Sequence, residues 1–380
     1  MDILEYTEDH IRFRKRLRAF LEKEVIPFVD LWEKKGIVPK GIWRKMGQAG
    51  FLCTDVSPQY GGLGGDFLYS VIVSEELVRT DHSGLIANLH SDVVVPYIVS
   101  YGSEEIKEKY LPGCVCGDII TALAMTEPDA GSDLAGMRTT AVEEGGDVVI
   151  SGSKIFISCG IIADLVVLAA VDPEVKNPYD AMSLYLVESG TPGFERGRKL
   201  EKMGCHSKDT AELFFSKCRI PRKNRLGEKG MGFHMLMKNL QQERLITAIG
   251  AVAKAEIILG KTIDYCKTTV LSGKPLSKFQ ATQFALVEMA TEVKLGRTFV
   301  DKLIVEHMQD EDIIIDTSMA KYWTTEMVKK VVDRCLDLYG DFGILEKYPI
   351  ARAWRDVRAM SIYAGTNEIM KGIAAKFMGL

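Results

Sequence analysis

The sequence predicts an α+β protein of three domains: an N-terminal α-helical domain over 1–120, a small middle β domain over 121–230 and a C-terminal four-helix bundle over 231–380. Three observations predict it. Apolar residues recur at helical spacing towards both ends of the chain. Between the two, from Thr121 onward, they gather into short β-branched and aromatic runs punctuated by Gly and Pro. A chain of 380 residues is long enough for two or three sizeable cores.

The first helices lie between about Glu8 and Gly113. Ile11, Phe13, Leu17, Leu21 and Val25 step mostly by three and four, and Pro27 ends the run. Pro58 to Gly65 is a glycine-rich break; without a preceding strand and a following Lys-Ser/Thr it reads as a plain loop, not a phosphate cradle. Leu85 to Tyr97 is apolar except for Asn88, His90, Ser91 and Asp92. Polar groups in an apolar helix need partners. They either cap and pair locally, or His90 and Asp92 face a substrate pocket.

The middle region opens with a hairpin, Val142 to Ser151, turning at Gly145-Gly146-Asp147. Asp164 to Val171, Met182 to Val187 and Ala211 to Ser216 are further strands, with Thr191-Pro192-Gly193 as a turn between them. From Met231 the helical period returns. Leu286, Met289, Val293, Gly296, Val300 and Leu303 form the seam of one bundle helix, Asp312 to Tyr339 gives another, and Pro349 suits a first turn. Four long helices make a bundle.

Bulk properties exclude several classes. A net charge of −4 with no basic run interleaved with aromatics argues against nucleic-acid binding. No apolar run approaches spanning length, so no membrane span is expected. Met1-Asp2-Ile3-Leu4 carries neither a signal-type core nor an Arg-rich transit pattern, and the eight cysteines are scattered. Both features point to a cytoplasmic protein with reduced thiols. Cys114 and Cys116 are the one close pair, and without His or Cys partners no metal is expected.

At the helix-to-strand switch stands Ala124-Met125-Thr126-Glu127-Pro128-Asp129-Ala130-Gly131-Ser132-Asp133-Leu134-Ala135-Gly136. Small residues there allow close approach of a ligand, and hydroxyls and carboxylates line the loop. On composition alone it is also an ordinary polar turn. The stretch closely resembles the first flavin-binding pattern of the acyl-CoA dehydrogenases. Further matches follow in the family's order: Lys154-Ile155-Phe156-Ile157-Ser158, then Lys202-Met203-Gly204 with Ser207, Asp209 and Thr210, then Ile362-Tyr363-Ala364-Gly365-Thr366-Asn367-Glu368-Ile369. Together they span nearly the whole chain.

The resemblance implies FAD as cofactor and an acyl-CoA thioester as substrate. It implies removal of an α-proton by a carboxylate while the β-hydride goes to flavin N5. In many members the base is a glutamate at the position occupied here by Ala364. A long-chain and isovaleryl-like branch carries it instead before an arginine on the bundle, which here is Glu243 followed by Arg244. A Glu-Arg pair on a helix is ordinarily a solvated ion pair. Alanine in one place with glutamate in the other is what relocation of the base would produce, so Glu243 is the candidate base. By the same resemblance Thr126 and Ser158 hydrogen-bond the flavin ring, Phe156 packs on it, and Met125, Gly131, Thr366 and Glu368 belong to the cofactor site. Ser132 lies near phosphate groups on the cofactor or substrate side. The Ala364 N–H takes the thioester oxygen, with Tyr363 and Gly365 beside the substrate and Arg244 supporting the base or the CoA.

Two stretches depart from the family pattern. An Arg-x-x-Phe-Gly segment that reaches the FAD pyrophosphate from a neighbouring subunit is replaced by Thr269-Val270-Leu271-Ser272-Gly273. A Gln-x-x-Gly-Gly-x-Gly stretch beside the ADP portion is replaced by Asp337-Leu338-Tyr339-Gly340-Asp341-Phe342-Gly343. Loss of a bidentate phosphate ligand leaves that end of FAD to other residues, such as Lys267 or Lys274. The resemblance further implies a homotetramer (a dimer of dimers) and an electron-transfer flavoprotein as acceptor. A linear or branched acyl chain is expected ahead of a ring. If Asp92 faces the pocket, the alternative is an alicyclic substrate such as a cyclohexane- or cyclohexene-carboxyl-CoA. The rivals of other kinds are a flavin-poor, non-catalytic CoA-binding protein on the same fold and an oxygen-using flavin oxidase.

Overall fold

The structure, a computed structural model of the chain, describes residues 3–380. Six helices lead: α1 (Glu8–Glu24), α2 (Val29–Lys35), α3 (Lys40–Gln48), α4 (Phe67–Arg79), α5 (Val95–Tyr101) and α6 (Glu104–Cys116). Thr7 caps α1 in a reciprocal box with His10, and Glu8 and Asp9 complement the positive end of the helix. The buried stripe is His10, Phe13, Leu17 and Leu21; Ile11 turns outward, one position off the stripe. Helix α6 stops at Gly117, whose φ of +76° and close approach to the Trp43 carbonyl leave no room for a side chain.

Just before α5, residues Leu89–Val94 form a π-helical turn. Such turns are uncommon and recur at functional positions.

The β domain comprises β1 (Thr121–Ala124), β2 (Thr140–Glu144), β3 (Asp147–Ser158), β4 (Leu165–Val171), the short helix α7 (Pro178–Ala181), β5 (Met182–Glu188), β6 (Phe194–Lys199), β7 (Thr210–Pro221) and β8 (Arg225–Leu226). The sheet runs β6-β7-β3-β2-β4-β5-β8, with β1 added parallel to β4. The β2–β3 hairpin closes at Glu144 opposite Asp147, as the Gly-Gly-Asp turn predicts. Between Lys154 and Ile157 the β3–β7 register slips, and inside that bulge Phe156 takes a φ of 60°.

The C-terminal region holds three long helices, not four: α8 (Gly232–Thr268), α9 (Gln280–Met308) and α10 (Ile314–Tyr339). A two-stranded hairpin, β9 (Val270–Leu271) with β10 (Lys274–Pro275), joins α8 to α9. The fourth place is shared by short helices, α11 (Pro349–Asp356) and α12 (Asn367–Phe377). Pro349 starts one, and the left-handed pair Ala364 and Gly365 interrupts the chain before the other.

One apolar core joins the N-terminal helices to the β-sheet, and a second fills the bundle. Helix α4 reaches both, sending Ile72 and Val73 into the first and Leu68 and Val71 into the second. Helix α8 does the same with Met235 and Leu236 against Leu245 and its successors.

Candidate active site

Glu243 sits where α8 crosses from one core to the other. Most of that helix is apolar all round, so a carboxylate on it is drawn into dry surroundings. Its Oε2 is sealed from solvent and has no hydrogen-bond partner. Burial pushes the Glu243 carboxyl up to about 7, and Arg244, Lys321 and Lys208 each pull it back. Arg244 is itself buried, its guanidinium made less basic by lost hydration, and its Nε is also without a partner. The Glu-Arg pair is therefore not a solvated surface pair.

The late loop meets this carboxylate. Tyr363 lies within electrostatic reach of Glu243. Lys208, from the loop before β7, places its ammonium 4.9 Å from the centre of the Tyr363 ring. Ala364 at φ 57° and Gly365 at φ 89° are two left-handed residues in succession. Thr366 spends its hydroxyl on capping α12, accepting from the Ile369 N–H at 3.3 Å. Glu368 is exposed in the first turn of that helix and felt by Lys321.

The candidate cofactor loop is pinned from below. Lys154, fully buried on β3, donates to the Met125 carbonyl at 3.0 Å and to Glu127 Oε1 at 2.8 Å. Glu127 also accepts from the backbone N–H groups of Arg138 (2.7 Å) and Thr139 (2.9 Å). The Ile155 N–H donates to the Thr126 carbonyl at 2.9 Å, stitching loop to strand. Above this clamp Gly131 and Ser132 are exposed, and a side chain at Gly131 would meet only the Thr126 methyl, at 3.9 Å. Phe156 stands 62% exposed, and Ser158 is half-buried at the end of the same strand. An aromatic ring turned out by a bulge, beside an open loop of small residues and hydroxyls, fits a flat aromatic cofactor.

His90 and Asp92 separate in role. His90 accepts the Thr121 N–H at Nδ1 (3.2 Å) and donates from Nε2 to the Cys114 carbonyl (3.0 Å), joining α6 to β1. Burial drives its pKa down to about 4, so it is a neutral internal joint and not a pocket residue. Asp92 is buried with Oδ2 unpartnered, and lost hydration raises its pKa to about 8. Its carbonyl accepts from Gln242 Nε2 at 2.7 Å, which ties the π-helical turn to the residue next to Glu243.

Sequence reasoning missed Tyr97, Gln242 and Lys321. Tyr97 is fully buried with an unpartnered hydroxyl, within electrostatic reach of Glu243 and Arg244. Lys321 shares the buried face of its helix with Thr317, Ala320, Thr324 and Val328, a mixed stripe that does not mark it out in the sequence.

The departures lie apart from this pocket. Val270 and Leu271 are exposed on the β9–β10 hairpin, and Ser272 takes a φ of 49° at its tip. Asp337 and Asp341 are exposed near the end of α10. Lys274 rests 4.2 Å over the Phe279 ring, and Lys267 lies 3.6 Å from Asp264. All eight cysteines are free, and among the described residues no His, Cys, Asp or Glu cluster could cage a metal. No helix among them is long and apolar enough to cross a membrane.

Comparison with known proteins shows the family and the fold. Residues 7–118, 122–218 and 230–379 match the N-terminal, middle and C-terminal domain models of acyl-CoA dehydrogenase. The mitochondrial long-chain specific acyl-CoA dehydrogenase of Mus musculus is 42% identical over 372 residues, 98% of this chain and 86% of that one. A crystal structure of acyl-CoA dehydrogenase from Geobacillus kaustophilus is 52% identical, covers 99% of both chains and superposes with a TM-score of 0.97. A structure described as the electron-transferring flavoprotein of Acidaminococcus fermentans matches at 33% identity and a TM-score of 0.95, over 100% of this chain and 99% of that one. With three domain models matched in order along one chain, the protein belongs to the acyl-CoA dehydrogenase family of FAD-dependent oxidoreductases.

Proposed function

We propose that the protein oxidises an acyl-CoA thioester to the 2-enoyl-CoA, with Glu243 as the base that removes the α-proton. The observation that carries this is the Glu243 carboxylate: its Oε2 is sealed from solvent and unpartnered, and burial raises its pKa to about 7. A base poised near the working pH combines a usable ionised fraction with a real affinity for the proton. Lys208, Arg244 and Lys321 keep burial from pushing that pKa higher. FAD, when bound, accepts the β-hydride at N5.

The residues of this chain supply the rest. Thr126 and Ser158 would hydrogen-bond the ring and Phe156 would pack against it. Met125, Gly131 and Ser132 would contribute to holding the cofactor, as would the backbone at Gly365 and Thr366 with Glu368. The Ala364 N–H holds the thioester oxygen, a role that does not depend on the side chain. Tyr363 and Arg244 flank the substrate. Electrons pass on to an electron-transfer flavoprotein. The exposed face of α9, with Phe284, Val287 and Leu295, supports a homotetramer as a dimer of dimers.

The substrate we favour has a linear or branched acyl chain. A second reading, an alicyclic thioester, is favoured by one observation, the unpartnered Asp92 Oδ2 next to the turn held by Gln242.

Anaerobic titration of the purified protein with straight-chain and cyclic thioesters tests both. The substrate bleaches the flavin absorption. Glu243→Gln slows that bleaching by about 10²–10⁴-fold while ligand still binds; undiminished reduction would overturn Glu243 as base. Asp92→Asn leaves a linear substrate nearly unaffected, and a large loss with it would favour the ring. A protein that stays colourless with added FAD would leave the non-catalytic CoA-binding reading in its place.

A further inference from the structure

Lys321 lies in the N-terminal third of α10 with no exposed surface. An ammonium taken out of water is costly, so where it occurs its hydrogen bonds show what it is for. Its Nζ donates to the Gly365 carbonyl at 2.5 Å and to Asn367 Oδ1 at 3.1 Å. Asn367, also buried, is gripped by the same helix. Its Oδ1 accepts from Thr325 Oγ1 at 3.1 Å, and its Nδ2 donates to Glu326 Oε1 at 2.7 Å. Successive turns of α10 thus fix residues 365 and 367 from one side.

The residues held this way are unusual. Ala364 takes a left-handed backbone that costs an ordinary residue about 1 kcal/mol, and it persists only where the surroundings enforce it. Gly365 follows at φ 89°, and a side chain there would collide with the Met370 methyl at 2.6 Å. Anchoring the Gly365 carbonyl fixes the peptide that follows the left-handed pair. The aim of the preceding N–H depends on that anchor.

We propose that Lys321 is a positioning residue for the reaction: its ammonium holds the Gly365 carbonyl and so aims the Ala364 N–H at the thioester oxygen. The inference rests on the reading of that N–H as the oxyanion donor. Lys321 is also within electrostatic reach of Glu243 and Arg244 on α8 and of Glu326 and Glu368. The same side chain therefore binds the late loop and acts on Glu243 through its charge.

The test compares two ligands that differ by one oxygen. In the Glu243→Gln holoenzyme, whose slowed flavin reduction leaves time for a binding measurement, the affinities of an acyl-CoA thioester and of the S-alkyl-CoA thioether of equal length are measured. The parent should prefer the thioester by about tenfold, the order of one good hydrogen bond. Adding Lys321→Met should remove most of that preference by weakening the thioester alone. Equal weakening of both ligands, or a preference that survives, overturns the proposal. A parent without any preference would remove the oxyanion reading itself and this inference with it. Should Lys321→Met not fold, Lys321→Gln, which keeps an amide NH₂ donor without the charge, takes the same measurement, with a loss of about threefold expected.

Discussion

Glu243 and Asp92 are both carboxyls raised by burial, yet only one of them sits among cations. Arg244, Lys321 and Lys208 restrain Glu243 to about 7, whereas Asp92 is eased only by Ser70 and reaches about 8. At neutral pH the first is the more ionised of the two, which favours it as the proposed base. The base works ionised, so kcat/KM should rise with pH through about 7 and level above it. Because Arg244 lowers that pKa, Arg244→Met should move the rising limb to higher pH. A limb that stays in place, or a rate that falls through this range, would count against Glu243. Glu243 was singled out in the sequence by the resemblance and its contrast with Ala364, and the structure raises its pKa by burial. Lys321 was not, because a lone lysine on a helix reads as solvated until the bundle shows which face is buried. His90 was over-read for a similar reason, since its partners Thr121 and Cys114 come from other elements.

At the scale of elements, the cofactor loop depends on one buried pair. Lys154 with a side chain removed from water has its pKa lowered to about 8 by burial, and Glu127 opposes that shift. Removing one member of such a pair strands the other. Lys154→Met should therefore cost about 3–5 kcal/mol of stability, seen as an earlier denaturant midpoint, and should loosen FAD. Lys154→Met with Glu127→Leu should recover part of the stability; no recovery would show that the pair is not the source of the loss. The hairpin at Gly145-Gly146-Asp147 and the helix start at Pro349 were readable from turn chemistry alone. The π-helical turn at Leu89–Val94 and the Phe156 bulge were not. Both are set by neighbouring elements, not by local preference. The same holds for the bundle's fourth place, where two short helices do the work of one long one.

For the whole molecule, the helical, β and helical order was plain in the hydrophobic periods. What the periods could not show is that the first two regions share a core while α4 and α8 tie it to the bundle. The outward face of α9 is left with Phe284, Val287 and Leu295 at 58%, 64% and 60% exposure, spaced as one stripe. Leu295 continues into a groove with Phe299, Met319, Tyr322 and Trp323. An exposed apolar face of this kind supports the proposed contact with another subunit. Light scattering should give a tetramer, and Val287→Asp with Leu295→Asp should lower the mass; a monomeric parent would refute the assembly.

Helix α8 runs unbroken from before Glu243 to Thr268, directly ahead of the β9–β10 hairpin. Each residue of such a helix advances about 1.5 Å and turns about 100°. The separation of the base from the hairpin is therefore a count of letters as much as a matter of their chemistry. One codon gained or lost between them would swing the hairpin a quarter-turn and more away from its present bearing. Substitutions on the outer surface of this rod are cheap in that respect, and a change in its length is not.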